Sequence, residues 1–162
     1  MIRILAFEET FWPATWAIME PVFRAGETYV YPTDISEAEA HKIWIDAPTA
    51  TFVALDEEDR AVGTYFIKPN QPGLGSHVCN CGYIVSASAK GKGVASQMCE
   101  HSQSEAKRLG FLSMQYNLVV STNERAVRLW ERLGFAIVGT LPEAFRHSRL
   151  GLVDAHVMSK RL

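Results

Sequence analysis

The sequence predicts one mixed α/β layer domain, a mostly antiparallel sheet with helices packed on it. Three observations predict it. The chain has 162 residues, 48% hydrophobic and 21% charged, which suits one globular core rather than a disordered tail. Strand-like and helix-like apolar patterns follow one another in the order βααββ–βαβαββ. The turn Lys90-Gly91-Lys92-Gly93 stands where a strand gives way to a helix.

Each element has its own signal. Ile2 to Phe7 reads as a short strand. Thr10 is placed to cap a helix with Pro13 in its first turn, running through Trp16, Ile18 and Met19 to Gly26, with Pro21 expected to bend or divide it. Ser36 and Glu39 form a capping box for a second helix through His41, Ile43 and Trp44. The β-rich runs Thr51–Leu55 and Ala61–Lys68, joined by Asp56-Glu57-Glu58-Asp59, predict a hairpin, and Pro69, Pro72, Gly73 and Gly75 a loop. Val78–Val85 is the next strand, residues 91–109 a helix and Leu112–Val120 a strand. That strand–helix–strand crossover should be parallel. Ala126, Leu129, Trp130 and Leu133 make one apolar stripe on a helix over Asn123–Leu133, which Gly134 ends. Ala136–Thr140 and Leu152–Ser159 complete the sheet, with residues 142–151 as a loop between them.

Charge narrows the function classes. A formal charge of −2 excludes a globally basic nucleic-acid binder. No apolar run approaches the ~18 residues needed to span a bilayer. There is no basic segment followed by an apolar run at the start of the chain, and the three cysteines suggest no disulfide framework; a cytoplasmic location is expected. Residues 1–60 carry twelve acids against four cations, whereas residues 90–132 carry seven cations against four acids. A local positive balance in an acidic chain suggests a small anionic ligand or, equally, a pair of solvated helices.

The stretch Lys90-Gly91-Lys92-Gly93-Val94-Ala95-Ser96 supplies an anion site by itself. Two glycines allow close approach to the backbone, and the first N–H groups of the following helix, with the positive end of its dipole, attract phosphate. It fits neither the P-loop nor the three-glycine dinucleotide pattern. It does resemble the acetyl-CoA turn of the GCN5-related N-acetyltransferase (GNAT) family, Q/R-x-x-G-x-G/A, with Lys90 in place of Gln or Arg. The segment from Asn123 through Arg125, Arg128, Leu129 and Trp130 to Gly134-Phe135 is similar to the second signature of that family. The two signatures and the element order together extend the resemblance over nearly the whole chain.

The resemblance implies a GNAT-like sheet whose central parallel strand pair splays apart, flanked by about four helices, with residues 1–162 as one domain. It implies acetyl-CoA as cosubstrate. The pantetheine arm would enter between the strands of Val85 and Asn117, the pyrophosphate would lie on Gly91, Gly93, Val94, Ala95 and Ser96, and Lys90, Lys92, Asn123, Arg125 and Arg128 would neighbour it. The thioester oxygen would meet a backbone N–H of Ile84 or Val85. Many members supply a tyrosine from the second-signature helix to protonate the leaving thiolate; Trp130 stands at that position, and core packing is its alternative role. An indole N–H donates a hydrogen bond but is no acid at working pH.

Asn80, Asn117 and Asn123, with Trp130, look like the fungal acetyltransferases that act on proline analogues such as azetidine-2-carboxylate. That likeness makes Asn117 and Asn80 catalytic candidates, Asn80 a substrate ligand as well. Against it stand hydrogen bonding across the splay for Asn117 and a satisfied core amide for Asn80. Tyr29, Tyr31 and Asp34 lie in the connection that the family places over the acceptor, where the tyrosines would shape a pocket and Asp34 attract an ammonium; a packed aromatic turn is the other reading. His77 and His147 read as exposed histidines or as proton carriers. Cys79 and Cys81 make half a zinc set, so no metal is expected.

These readings converge on acetyl transfer to the primary or secondary amine of a small molecule, such as an amino acid or analogue. Peptide or protein Nα-acetylation and non-catalytic acyl-CoA sensing are the alternatives. The expected partner is a small amine, with no nucleic acid and no membrane, and family members often form homodimers.

Overall fold

The computed structural model describes residues 2–162. Strand β1 (Arg3–Ala6) leads through a single 3₁₀ turn into helix α1 (Trp12–Ala25). Thr10 lies inside that 3₁₀ turn and caps nothing; Phe11 holds the N-cap position without a side-chain bond. Pro21 neither divides nor ends α1, which runs on to Gly26 in the left-handed conformation. Helix α2 (Glu37–His41) begins with the expected capping box, Ser36 Oγ accepting the Glu39 N–H and the Glu39 carboxylate accepting the Ser36 N–H. It continues as one π-helical turn, Lys42–Asp46.

Strands β2 (Ala50–Leu55), β3 (Ala61–Pro69) and β4 (Val78–Val85) form an antiparallel meander, followed by α3 (Val94–Arg108), β5 (Ser113–Val120) and α4 (Glu124–Arg132). Strands β6 (Ala136–His147) and β7 (Gly151–Arg161) close the chain as a long hairpin. Residues 142–147, expected in a loop, belong to β6. Their burial alternates only at Phe145 and His147, so a single strand has little apolar pattern to show there. A register shift between Leu141 and Phe145, with Glu143 at φ 51°, carries the strand on.

The sheet order is β1-β2-β3-β4-β5-β7-β6, with β4 and β5 the parallel pair. Alternation along each strand sorts the side chains onto two faces. On one face Tyr65, Ile67, Cys79, Cys81, Met114 and Tyr116 pack with Met98, Cys99 and Ala106 of α3 and Trp130 of α4. On the other, Phe66 and Ile84 pack with Trp12, Met19 and Phe23 of α1 and Ala40 and Trp44 near α2. Thr64, buried between the layers, is satisfied: Trp44 Nε1 donates to its Oγ1, which donates to the Phe52 carbonyl.

Gly82 sits under this second layer. A Cβ there would come within 2.6 Å of the Phe66 ring and 3.2 Å of Trp44, whose rings meet edge to face at 4.8 Å. Gly82→Ala should therefore cost about 1–3 kcal/mol through overpacking, read as a fall of several degrees in the thermal midpoint.

Candidate active site

The site begins where two strands part. Strands β4 and β5 pair only at Val78–Ser113 and Cys79–Met114. Beyond those residues the β4 edge faces a gap. The phase of β4 follows from its ends: Asn70 N–H donates to the Val78 carbonyl and Ser86 N–H to the Val62 carbonyl. Between them the antiparallel register is unbroken, so even-numbered residues, Ile84 included, exchange bonds with β3. Cys81, Tyr83 and Val85 turn their N–H and C=O groups into the gap. This corrects the expectation for Ile84, whose N–H is spent on Thr64, and leaves Val85 as the residue of that pair with a free N–H.

Two side chains stand in for the missing ladder. Tyr29, from the connection after α1, donates its hydroxyl to the Tyr83 carbonyl at 2.8 Å. Burial pushes that phenol far above its ordinary pKa, so it stays a donor. Asn80 Nδ2 donates to the Gln115 carbonyl at 2.9 Å, just where strand pairing stops. Asn80 is thus a strut at the closed end of the gap.

At the open end lies the glycine turn. Gly91 and Gly93 have φ of 83° and 79°, which L side chains rarely adopt. Helix α3 starts at Val94, three residues later than its sequence signal, and no side chain caps it. Among the described residues the N–H groups of Gly91, Gly93, Val94, Ala95 and Ser96 meet no backbone carbonyl outside the helix, whereas those of Lys90 and Lys92 donate to Ala87 and Ala89. A Cβ on Gly91 would lie 2.9 Å from an Arg125 guanidinium nitrogen, so Arg125 reaches across from α4 to this turn. Arg125 has no acidic partner among the described residues, while Arg128 is held by Glu124 at 2.6 Å. Lys90 and Lys92 are exposed. Asn123 occupies the N-cap position of α4 but makes no side-chain cap bond. Five free N–H groups at a helix start, with an unpaired guanidinium above them, suit a diphosphate.

On the α1 face an amide ladder crosses the gap. Gln115 Nε2 donates to Asn117 Oδ1 at 3.0 Å, and Asn117 Nδ2 to Asn70 Oδ1 at 2.6 Å. Asn117 is exposed and lies where the β5–β7 register shifts. Asn70 and Gln115 were not among the candidates from sequence, having no signal beyond residue type. Tyr29 and Tyr31 stack at 6.0 Å, both against Phe23. Asp34, expected nearby, is exposed and without an ion pair among the described residues.

The tip of the β6–β7 hairpin closes over the end of α1. Ser148 N–H donates to the Gly26 carbonyl, its hydroxyl donates to the Ala25 carbonyl at 2.7 Å, and Arg149 pairs with Glu27 at 2.6 Å. His147, read as exposed or functional from sequence, is 6% exposed, and its Nδ1 accepts the N–H groups of Arg149 and Leu150. It holds the turn.

Comparison with known proteins agrees with this geometry. Residues 12–135 match the Acetyltransferase (GNAT) family. N-acetyltransferase aca1 of Schizosaccharomyces pombe is 39% identical over 112 residues, 68% of this chain and 54% of that one; the chain thus spans about half the length of that relative. The structure of a GCN5-related N-acetyltransferase from Kribbella flavida superposes with a TM-score of 0.94 at 38% identity, covering 99% of this chain and 98% of the other. A phosphinothricin acetyltransferase from Sinorhizobium meliloti, solved in complex with AcCoA, shares the fold with a TM-score of 0.88 at 18% identity, covering 99% and 88%.

Removing the strut tests the gap. Asn80→Ala should lower stability by about 1 kcal/mol in urea unfolding and speed amide exchange at the last paired residues, Cys79 and Met114. Unchanged exchange there would show that the gap is held elsewhere.

Proposed function

Because the chain belongs to the acetyltransferase (GNAT) family, we propose that it transfers the acetyl group of acetyl-CoA to the amine of a small molecule in a ternary complex. One observation carries the proposal: a row of β4 backbone groups without a strand partner leads from the closed end of a strand gap towards a helix start with free N–H groups. Acetyl-CoA brings an extended arm with two amides and a diphosphate, and both halves of that ligand find complementary groups here.

In this reading each group has a role that its position supports. The N–H groups of Gly91, Gly93, Val94, Ala95 and Ser96 receive the diphosphate, with Arg125 and, from further out, Lys90 and Lys92 balancing its charge. The N–H groups of Cys81, Tyr83 and Val85 and the carbonyls of Cys81 and Val85 offer donors and acceptors to the arm, which adds, in effect, a strand to β4. An N–H of the same row, aimed into the gap, stabilises the oxyanion as the amine nitrogen attacks the thioester carbon. Much of the acceleration comes from holding thioester and amine as one complex. The nitrogen attacks as a neutral amine, the C–S bond breaks with its electrons on sulfur, and the proton shed by the nitrogen leaves CoA as the neutral thiol.

A small acceptor is favoured by the hairpin clasp. With Ser148 and Arg149 fixed to the end of α1, that side of the α1 face is bridged rather than left as an open peptide groove. The ladder of Asn70, Asn117, Gln115 and Asn80 offers neutral donors and acceptors, which suits an amino acid or a cyclic analogue better than a strongly cationic substrate. Asn117 and Asn80 act in this reading as acceptor ligands. Tyr29 and Tyr31 supply an aromatic wall.

Thiol release across an amine panel of proline analogues, free amino acids, polyamines and N-terminal peptides tests the reading; activity confined to peptides would overturn the small-acceptor part. Gly93→Asp sets a carboxylate against the diphosphate in a backbone region that disfavours side chains. It should weaken acetyl-CoA binding in calorimetry by about 100-fold or more, as expected for like charges a few ångströms apart. Asn117→Ala should lower kcat by about tenfold or more, the loss of one hydrogen bond to a reacting complex, with acetyl-CoA affinity unchanged.

A further inference from the structure

The cations around the α1 face differ in what they are bonded to. Arg24 is committed to the carbonyls of Thr33 and Ile35 and to the Glu20 carboxylate, and Arg149 to Glu27. Lys68, near the end of β3, is half-buried, and among the described residues its ammonium makes no ion pair and no hydrogen bond. An aromatic face holds it instead. Lys68 Nζ lies 5.3 Å from the centroid of the Phe66 ring, so the side chain folds back along its own strand. That ring is buried and packs over Gly82 of β4, where a Cβ would come within 2.6 Å of it.

Strand register puts this charge beside the gap. Lys68 stands opposite Asn80 in the unbroken β3–β4 pairing, so both side chains rise from one face with Cα atoms about 5.5 Å apart. Asn80 reaches the Gln115 carbonyl across the closed end, and Gln115 and Asn117 carry the amides on to Asn70. Lys68 is thus the charged end of a belt that is otherwise neutral. The diphosphate is out of its reach: Asn80 to Val85 alone spans about 17 Å of strand, and the glycine turn lies beyond Val85. An ammonium without a counter-ion beside a site for amines repels cationic acceptors. It favours an acceptor that brings its own negative charge.

We propose that Lys68 binds the carboxylate of the acceptor, which makes the substrate class an amino acid or analogue with its carboxylate beside the reacting amine. The assignment deepens the acetyl-transfer reading above and rests on it. The bound carboxylate is the partner that Lys68 lacks, and Asn80 Nδ2 carries a second hydrogen, beyond the one given to Gln115, for the same group. The acceptor must be compact. Lys68 and the β4 N–H row belong to neighbouring strands about 5 Å apart, a spacing that one or two carbons between carboxylate and amine match.

The test takes from the panel above the amine with a neighbouring carboxylate that releases thiol fastest. It is compared, as kcat/KM, with its own carboxamide and its decarboxylated amine, in the wild type, Lys68→Met and Lys68→Arg. Methionine keeps the stem on the Phe66 ring, and comparing ratios between proteins cancels differences in amine basicity. Lys68→Met should reduce the preference for the carboxylate by about tenfold or more through a higher KM, as for one charge-assisted hydrogen bond. Lys68→Arg should keep most of it. Lys42→Met, which removes an exposed lysine from the π-helical turn, should leave it unchanged. A purely structural Lys68 would lower turnover of all three amines alike in Lys68→Met, and an intact ratio there overturns the assignment alone. So does a panel in which only amines without a neighbouring carboxylate are acetylated. A chain that releases thiol with no amine overturns the acetyl-transfer reading and this assignment with it.

Discussion

The parting of β4 and β5 after two paired residues is the constraint on which the site depends. A central strand pair left open within a seven-stranded sheet exposes a row of backbone donors and acceptors, each costing about 1–3 kcal/mol if buried without a partner. The fold meets part of that demand in two ways. Asn80 bridges to the Gln115 carbonyl at the closed end, and Tyr29 reaches the Tyr83 carbonyl from the α1 side. The remaining N–H groups are left facing the gap, where an extended ligand can use them. A sheet that zipped fully would be more stable and would have no such edge to offer.

The two faces of the sheet divide the work because strand residues alternate. Even-numbered β4 positions carry Asn80, Gly82 and Ile84 towards α1, and odd-numbered ones carry Cys79, Cys81 and Tyr83 towards α3. The glycine turn opens α3, so in the proposed reading a coenzyme would lie with its charged end on the α3 side and its reacting end at the gap. The acceptor would then approach from the α1 side, where the asparagines, the stacked tyrosines and the hairpin clasp lie. One parity rule, applied to one strand, gives the gap two chemically different faces.

Much of this was legible in the sequence, and the rest was hidden for physical reasons. Gly91 and Gly93 announce a turn because few other residues tolerate positive φ, and Asn80 and Asn117 stand out as amides in apolar strands. The choice between Ile84 and Val85 could not be read, because it depends on which β4 residues face β3, a matter of register rather than composition. The Tyr29–Tyr83 bond joins residues 54 apart, and Asn70 is an ordinary loop residue until β5 meets it. The second half of β6 escaped because an exposed edge strand has no apolar alternation to betray it. Thr10 looked like a cap because its type and distance from Pro13 fit; the 3₁₀ turn over Glu9–Phe11 moved the helix start beyond it.

Trp130 shows how one large ring organises the layer beneath the gap. An indole N–H donates but does not ionise at working pH, and here the ring makes an α4 residue a wall, 7% exposed, against Tyr83 and Tyr116. That wall is what drives two phenols together across a gap that their strands leave open. Phe135 stacks on Tyr116 at 4.4 Å from the other side, fixing that ring between two aromatic neighbours. The two hydroxyls then meet at 3.1 Å and satisfy one another within the buried layer, so packing supplies beneath α3 the cohesion that the parted strands lack.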